Sequence, residues 1–167
     1  IMIFTNKIHS INMYNILLTL SRNKFFYRDL DLADTFETRI NLMFFHFSIF
    51  LKIFKKKGEK FDQSLYDKLF HNIENNLREL GFGDVSVNKK MKDLNKILYD
   101  ILLKIEENDS NKAFHMNPVL TIKYFNKLGN EKTVNYKFFS TYFSNFYDFC
   151  FELPLKNMLN NAINFKQ

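Results

Sequence analysis

The chain contains few of the residues that mark several common classes of protein. It has one cysteine, no tryptophan, two prolines and four glycines among 167 residues. The single cysteine, Cys150, excludes an intrachain disulfide framework and fits a reducing compartment. Because Cys150 lies within an apolar aromatic run, we expect a buried, inert thiol rather than a nucleophile.

Arginine is also scarce. Lysine and arginine together number 24, and only Arg22, Arg28, Arg39 and Arg78 are arginine. Abundant Phe, Ile, Lys and Asn with few Gly and Pro is typical of drift in an AT-rich genome, so a single Lys or Phe carries less functional weight than usual. The net charge of +6 allows an anionic partner such as lipid headgroups or ribosomal RNA. A solvated basic surface explains the charge equally well.

No apolar run is long enough to predict a membrane span. The most apolar segment, residues 40–54, is shorter than the roughly 20 residues that a span needs. It also contains four polar residues: Asn41, His46, Ser48 and Lys52. A helix that is apolar on all sides is otherwise buried among other helices. We therefore predict that this segment is the central helix of a soluble bundle.

Apolar positions recur with helical spacing almost throughout the chain, and no strand-like alternation with hairpin turns is present. The length fits one domain, and 46% hydrophobic residues are enough for a core. We predict an all-α fold, a single-domain bundle of about six to seven helices over residues 1–167. After a first helix that ends near residue 22, the expected helices cover residues 34–56 (with Glu37 placed for a capping box), 62–80, 87–107, 117–128, 135–151 and 154–164.

Residues 77–92 combine a helix end, a turn and the start of the next helix. Gly81 stands where a helix ends through a left-handed residue, and Gly83 gives a second permissive position. Asp84 or Ser86 is expected to cap the next helix.

Three lysines of this segment are candidates for a functional surface: Lys89, Lys90 and Lys92. If the helix starts near Val87, their charges lie at the positive end of the helix dipole, which is unfavourable. A feature that local rules oppose is often functional. The other basic cluster, residues 55–57, lies at a helix end that suits cations, so a solvated surface explains it better.

Two stretches of the chain resemble the ubiquinol–cytochrome c chaperone family. The first consists of Leu77, Arg78, Glu79, Leu80, Gly81, Phe82, Gly83 and Asp84, followed by Val87, Lys89, Lys90, Met91 and Lys92. The second consists of Arg22, Phe26, Tyr27, Ala33, Asp34, Thr35, Arg39 and His46. Ala33 and Thr38 depart from the proline and glycine that are usual in the family. The resemblance covers about residues 14–105.

The resemblance implies an all-α assembly chaperone without cofactor, small-molecule substrate or catalytic activity. Its client would be newly made cytochrome b or its nascent chain, during assembly of ubiquinol–cytochrome c reductase (respiratory complex III). The ribosome and the inner-membrane surface are further expected partners. Arg78 and Asp84 are candidates for contact with the client, although we expect them to stabilise the turn first. The expected location is the bacterial cytoplasm, peripheral to the inner membrane, or the mitochondrial matrix side. A peripheral membrane or lipid-binding domain and a ribosome-associated factor are the alternatives.

Arg39 and His46 lie seven residues apart, so both fall on one face of the second helix. They are candidates for a polar pair that lines a client groove. The alternative is a core histidine bonded to a tyrosine or a backbone carbonyl, which is the commoner arrangement on so apolar a helix.

The helix over residues 135–151 carries more aromatic side chains than one buried face can hold. Its expected core face is Phe139, Phe143, Phe146 and Cys150. Phe138, Tyr142 and Phe149 then point elsewhere and are candidates for contact with a hydrophobic client. Packing against the final helix explains them equally well.

The remaining motifs give weak signals. His71 and Glu74 have the spacing of half a carboxylate-bridged metal site, but no matching set is apparent, and His9 and His115 have no such partner. The run 81–83 lacks the third glycine and the preceding strand of a phosphate loop. We therefore expect no metal and no catalytic site.

Overall fold

The computed structural model describes residues 11–106 and 113–167. His9 and residue 107 lie outside these residues, but the helix predicted to reach residue 107 ends within them, at Lys104. The described part contains seven α-helices and no strand, which confirms the all-α prediction. The helices are α1 Met13–Ser21, α2 Phe36–Lys56, α3 Gln63–Glu79, α4 Asp84–Lys104, α5 Pro118–Tyr124, α6 Val134–Glu152 and α7 Leu155–Asn161. A π-helical turn, Phe25–Asp29, precedes α2, and 3-10 turns, Asn126–Leu128 and Ala162–Asn164, follow α5 and α7.

The second helix, α2, is buried at the centre, as its composition predicts. It packs against α1, α4 and α6, and 12 of its 21 residues are buried. Phe44 and Phe47 are fully buried, and Leu51 is partly buried. Burying such a side chain contributes about 1.5–3 kcal/mol before the entropy of ordering is subtracted.

Local side-chain caps set the starts of five of the seven described helices, α1, α2, α3, α5 and α6. Asp62 accepts from the Ser64 backbone N–H at 2.8 Å, and Asn117 caps α5 ahead of Pro118. Thr35 caps α2 by accepting from the Thr38 backbone N–H. The predicted capping box of Glu37 is wrong, because Glu37 is then the second helical residue and not the third.

Helices α5 and α7 are shorter at their C-terminal ends than the sequence predicts. The predicted helix over residues 117–128 is interrupted at Phe125, after which a 3-10 turn continues to Leu128. The last predicted helix likewise ends at Asn161 and continues as a 3-10 turn.

Lys57 joins the end of α2 to the end of α6. Its ammonium donates to the carbonyl oxygens of Phe151 at 2.6 Å and Leu153 at 3.0 Å. Phe151 lies in the last turn of α6 and Leu153 is its C-cap, so the cation is at the helix end where it is favourable. Lys52 forms an ion pair with the nearly buried Glu106 at 3.3 Å, which ties α2 to the chain that leaves α4. The basic cluster 55–57 therefore has a structural role in part.

Asp100 ties α4 to α5. Its carboxylate accepts from Lys123 at 2.7 Å and from the Tyr124 hydroxyl at 2.5 Å, and Lys104 is 2.6 Å away. The Lys104, Lys123 and Tyr124 hydrogen bonds hold the pKa of Asp100 well below its usual range.

Candidate functional site

The connection between α3 and α4 is a tight turn that needs one left-handed residue. Helix α3 ends at Glu79, Leu80 follows as its C-cap, and Gly81 has φ +97°. Gly81 thus ends the helix as predicted. Gly83 has φ −76°, so the prediction of a second special backbone position is wrong. Gly83 is instead the N-cap of α4, so the prediction that Asp84 or Ser86 caps this helix is wrong as well.

Every residue from 78 to 86 is exposed. We call residues 78–92 the α3–α4 corner. Three of its apolar side chains are exposed, Leu80 by 56%, Phe82 by 38% and Val85 by 86%. Val87 is fully buried and anchors the start of α4. The corner is therefore anchored to the core through Val87, while Leu80, Phe82 and Val85, which we call the apolar tip, face solvent.

An ion-pair network closes the corner. The Arg78 guanidinium donates to Asp84 across the turn and to Glu74 at 3.2 Å one helical turn earlier. These hydrogen bonds, to Asp84 first and then to Glu74, raise the pKa of Arg78. Asp84 is the first residue of α4, where a carboxylate is favourable. Arg78 and Asp84 therefore stabilise the turn, and a role in client contact remains a prediction.

The prediction that the three lysines interact unfavourably with the dipole of α4 is wrong. Because α4 starts at Asp84 and not near Val87, Lys89, Lys90 and Lys92 lie beyond its first turn. The dipole acts mainly within that turn. All three lysines are exposed, and the Lys90 ammonium lies 4.6 Å from the centroid of the Phe82 ring. The lysines thus border the apolar tip.

The solvent face of α4 continues this mixture of apolar and cationic side chains. Residues spaced three and four apart form one stripe along the helix. All are exposed: Val85, Lys89, Lys92, Lys96, Tyr99 and Leu103.

His46 is a core histidine. It is fully buried, with Nδ1 2.7 Å from the Leu42 carbonyl oxygen and Nε2 2.8 Å from the Tyr142 hydroxyl. Burial lowers its pKa to about 3, so the ring is neutral. Since a carbonyl only accepts, Nδ1–H donates to Leu42, and Nε2 accepts from the Tyr142 O–H.

This geometry corrects the expectation that His46 and Arg39 line a groove together. The Arg39 side chain is about one-third exposed, whereas His46 contacts only the interior. Tyr142 is 2% exposed, so its expected place outside the core is wrong as well. Its buried hydroxyl needs a partner, and His46 supplies it.

The other aromatic candidates on α6 differ in exposure. Phe138 is 53% exposed, whereas Phe149 is partly buried against Phe165, with ring centroids 5.6 Å apart. The expected core face is confirmed, since Phe139, Phe143, Phe146 and Cys150 are fully buried. Burial also raises the pKa of the Cys150 thiol to about 12, which keeps it protonated and unreactive.

The structure reveals a second polar site, formed largely by residues that the sequence shows only as a motif. The end of α1, the π-helical turn and the start of α2 surround an open cleft of about 440 Å³. We call it the arginine cleft, and its lining residues are Arg22, Lys24, Tyr27, Arg28, Asp34 and Arg39. Arg22, Tyr27, Asp34 and Arg39 belong to the second of the two stretches that resemble the chaperone family. Arg28 is not predicted as a site residue from the sequence. The scarcity of arginine in the chain is the signal that could have identified it.

Among residues 11–106 and 113–167, no group of three or more His, Cys, Asp and Glu side chains is placed to hold a metal ion. His71 is exposed on α3. Within the same residues, no helix combines the length and the apolarity that crossing a membrane requires.

Comparison with known proteins gives one match. The family model described as ubiquinol-cytochrome C chaperone matches residues 28–141, which is more than half of the chain. The match extends beyond the resemblance seen in the sequence, into the first turns of α6. No curated protein and no solved structure matches significantly. The chain therefore belongs to the ubiquinol–cytochrome c chaperone family, which supports a non-enzymatic chaperone role in complex III assembly with a protein as client.

Proposed function

We propose that this protein is a non-catalytic assembly chaperone that binds newly made cytochrome b through the α3–α4 corner, beside the inner membrane. One observation carries the proposal. The corner lies within the family match, and its residues 78–86 are exposed without interruption although three are large and apolar.

An exposed apolar tip on a fixed turn suits a client that is itself apolar. A subunit destined for the membrane presents apolar segments before it is inserted, and contact with Leu80, Phe82 and Val85 would remove both surfaces from water. Such burial contributes about 25 cal/mol per Å². The contact is therefore favourable without a deep groove.

The lysines of α4 suit the setting of such a client. Each lysine near an anionic membrane surface contributes about 1 kcal/mol to the free energy of binding. At physiological salt this attraction decays over a Debye length of about 8 Å, so only lysines close to the surface contribute. Lys89 and Lys92 lie on the same exposed stripe as Val85. The corner therefore combines apolar contact with attraction to a negatively charged surface.

Two variants test the two parts separately. In the first, Lys89, Lys90 and Lys92 are replaced by glutamine, and in the second, Leu80 and Val85 are replaced by serine. A matched control replaces Lys132, Lys137 and Lys166, which are exposed and form no ion pair with the described residues. All variants should keep the thermal melt of the parent, because no substituted side chain is buried.

The readouts are capture of newly synthesised cytochrome b and recovery of reductase in a strain that lacks the chaperone. The serine variant should capture less cytochrome b at all salt concentrations. The lysine variant should be defective at low salt and approach the parent at high salt, since screening removes what the lysines contribute. The control should behave like the parent.

Full recovery of reductase by both variants at normal expression would contradict the proposed surface. Phe138 and Arg39 would then be the next positions to test, since both are accessible. The lysine stripe gives specific support to the peripheral membrane alternative. That alternative predicts binding of anionic vesicles without cytochrome b, and a loss of vesicle binding in the lysine variant with normal cytochrome b capture.

A further inference from the structure

The arginine cleft concentrates the rarest cationic residue of this chain. Arginine occurs four times in 167 residues, and three of the four line this one cleft. Arg22 caps the end of α1, Arg28 lies in the π-helical turn, and Arg39 is in the first turns of α2. The cleft thus gathers residues from three separate elements.

The charges of the cleft are unbalanced. Its lining holds four cations, with Lys24 in addition to the arginines, against the single carboxylate of Asp34. That carboxylate is 3.9 Å from the Arg39 Nε and is largely exposed. Arg22, Lys24 and Arg28 form no ion pair with the part of the chain that the structure describes. Like charges at this density repel each other unless an anion lies between them.

The cleft is formed by anchored backbone and not by a loose loop. Phe26 in the π-helical turn is fully buried, and its ring packs edge-on against Tyr142 with centroids 4.7 Å apart. Leu30 is buried directly after the turn. The Tyr27 hydroxyl donates to the Ser21 carbonyl oxygen at 2.8 Å, which ties the turn to the end of α1. Because its neighbours are anchored, the backbone that carries Arg28 is held in the wall of the cleft.

The choice of arginine over lysine indicates the shape of the ligand. A guanidinium presents several N–H donors in a planar fork that matches two oxygens of a phosphate or carboxylate, whereas lysine acts as a point charge. In a chain so rich in lysine, charge alone would not require arginine at three neighbouring positions. A phosphate group offers oxygens in several directions and so can meet forks that approach from three elements.

We propose that the arginine cleft binds a phosphate monoester, carried either by a small soluble molecule or by the headgroup of an anionic lipid. The net charge of the cleft, four cations against one carboxylate, suits a dianion. The volume of about 440 Å³ is within the range of small-molecule sites and leaves room for part of the carrier next to the Tyr27 ring.

The experiment uses the full chain with three probes and a variant pair. Binding of glycerol 3-phosphate and of inorganic phosphate is measured by calorimetry at fixed salt, with glycerol as the uncharged control. Flotation with vesicles of phosphatidic acid in phosphatidylcholine, against phosphatidylcholine alone, tests the lipid source. The variants are Arg28→Gln, Arg28→Lys and the control Lys137→Gln, all at exposed positions.

Arg28→Gln should weaken binding by about tenfold, as expected for loss of a charge-assisted hydrogen bond. Arg28→Lys should restore only part of the affinity, because the charge returns without the fork. Lys137→Gln should bind like the parent. Saturable binding of glycerol 3-phosphate identifies a soluble ligand, while flotation with phosphatidic acid without soluble binding identifies a lipid. Binding of none of the charged probes, or equal binding by parent and Arg28→Gln, would overturn the proposal.

Discussion

His46 should make the stability of the fold depend on pH between 7 and 5. The ring is fully buried and neutral, and its neighbours are the Leu42 carbonyl, the Tyr142 hydroxyl and the aromatic rings of Phe143 and Phe146. None of these groups compensates a positive charge. In the unfolded chain the same ring takes up a proton at its ordinary pKa, so acidification should favour unfolding.

The expected size of this effect follows from the two pKa values. Burial lowers the pKa of His46 from 6.5 to about 3 in the folded state. From pH 7 to pH 5 the unfolded state gains a proton that the folded state does not bind. At about 1.36 kcal/mol per pH unit, this difference removes about 2 kcal/mol of stability by pH 5. The loss should continue towards the folded-state pKa.

The assay is urea unfolding at several pH values, followed by circular dichroism. Carboxylates also titrate near pH 5, so the parent is compared with His46→Gln, in which only the histidine contribution is absent. The stability gap between parent and variant should narrow by about 2 kcal/mol from pH 7 to pH 5. His71→Gln, at an exposed position, serves as the control for the effect of a histidine-to-glutamine substitution as such.

A second measurement does not depend on the variant folding well. In the folded parent, the ring resonances of His46 should stay constant from pH 8 to pH 5, because the buried ring remains neutral throughout this range. A His46 resonance that titrates above pH 5 would refute the assignment of a neutral ring with a hydrogen bond at each nitrogen. It would mean that the histidine is accessible to solvent, as a client-facing residue would be.

Two further predictions concern the corner and the end of α6. Gly81→Ser should lower the free energy of unfolding by about 1–2 kcal/mol, because φ at Gly81 is +97°. Gly83→Ser should not lower it, since φ at Gly83 is −76° and a Cβ there meets open space. Equal thermal melts for the two variants would contradict this backbone geometry. Lys57→Met should lower stability to urea by about 1 kcal/mol because two carbonyls at the end of α6 lose their donor, while Lys55→Met at an exposed position should have no effect.

The fold could be predicted from the sequence wherever a whole segment shared one property. The burial of α2 followed from a run that is apolar on every side. The periodic pattern predicts the start of α4 three residues late, because it begins at Val87 and Asp84–Ser86 contain only one apolar residue. That small displacement was enough to turn ordinary lysines of the second and third turns into an apparent conflict with the helix dipole.

Individual site residues were harder, because their roles depend on contacts between distant parts of the chain. The choice for His46 between a groove and the core is decided by Tyr142, which is 96 residues away. Periodicity placed both residues on the correct helices but not towards each other. For the arginine cleft, the motif residues were recognised one by one, yet only the fold brings the end of α1 and the start of α2 around one space.

The arginine cleft and the α3–α4 corner are connected through α1, which ends at the cleft and packs against α3. Burial raises the pKa of Tyr14, while Arg22 and Arg39 of the cleft lower it and Glu79 at the end of α3 raises it. Tyr14 and Glu79 also line one pocket between α1 and α3, and Arg22, the C-cap of α1, lies in the lining of the cleft. Helix α1 therefore connects the cleft to the helix end from which the corner starts.

A lipid surface that contacts the lysines of the corner would therefore be near the cleft as well. If the ligand of the cleft is a lipid headgroup, Arg28→Gln and the triple lysine variant should each weaken flotation with phosphatidic acid, and their combination should weaken it by the sum of the two free-energy losses. With vesicles whose anionic lipid carries a phosphodiester, the lysine variant should still be defective, while Arg28→Gln should bind almost like the parent. Equal losses on both kinds of vesicle would show that the cleft contributes only charge, and that its arginines do not recognise a phosphate monoester.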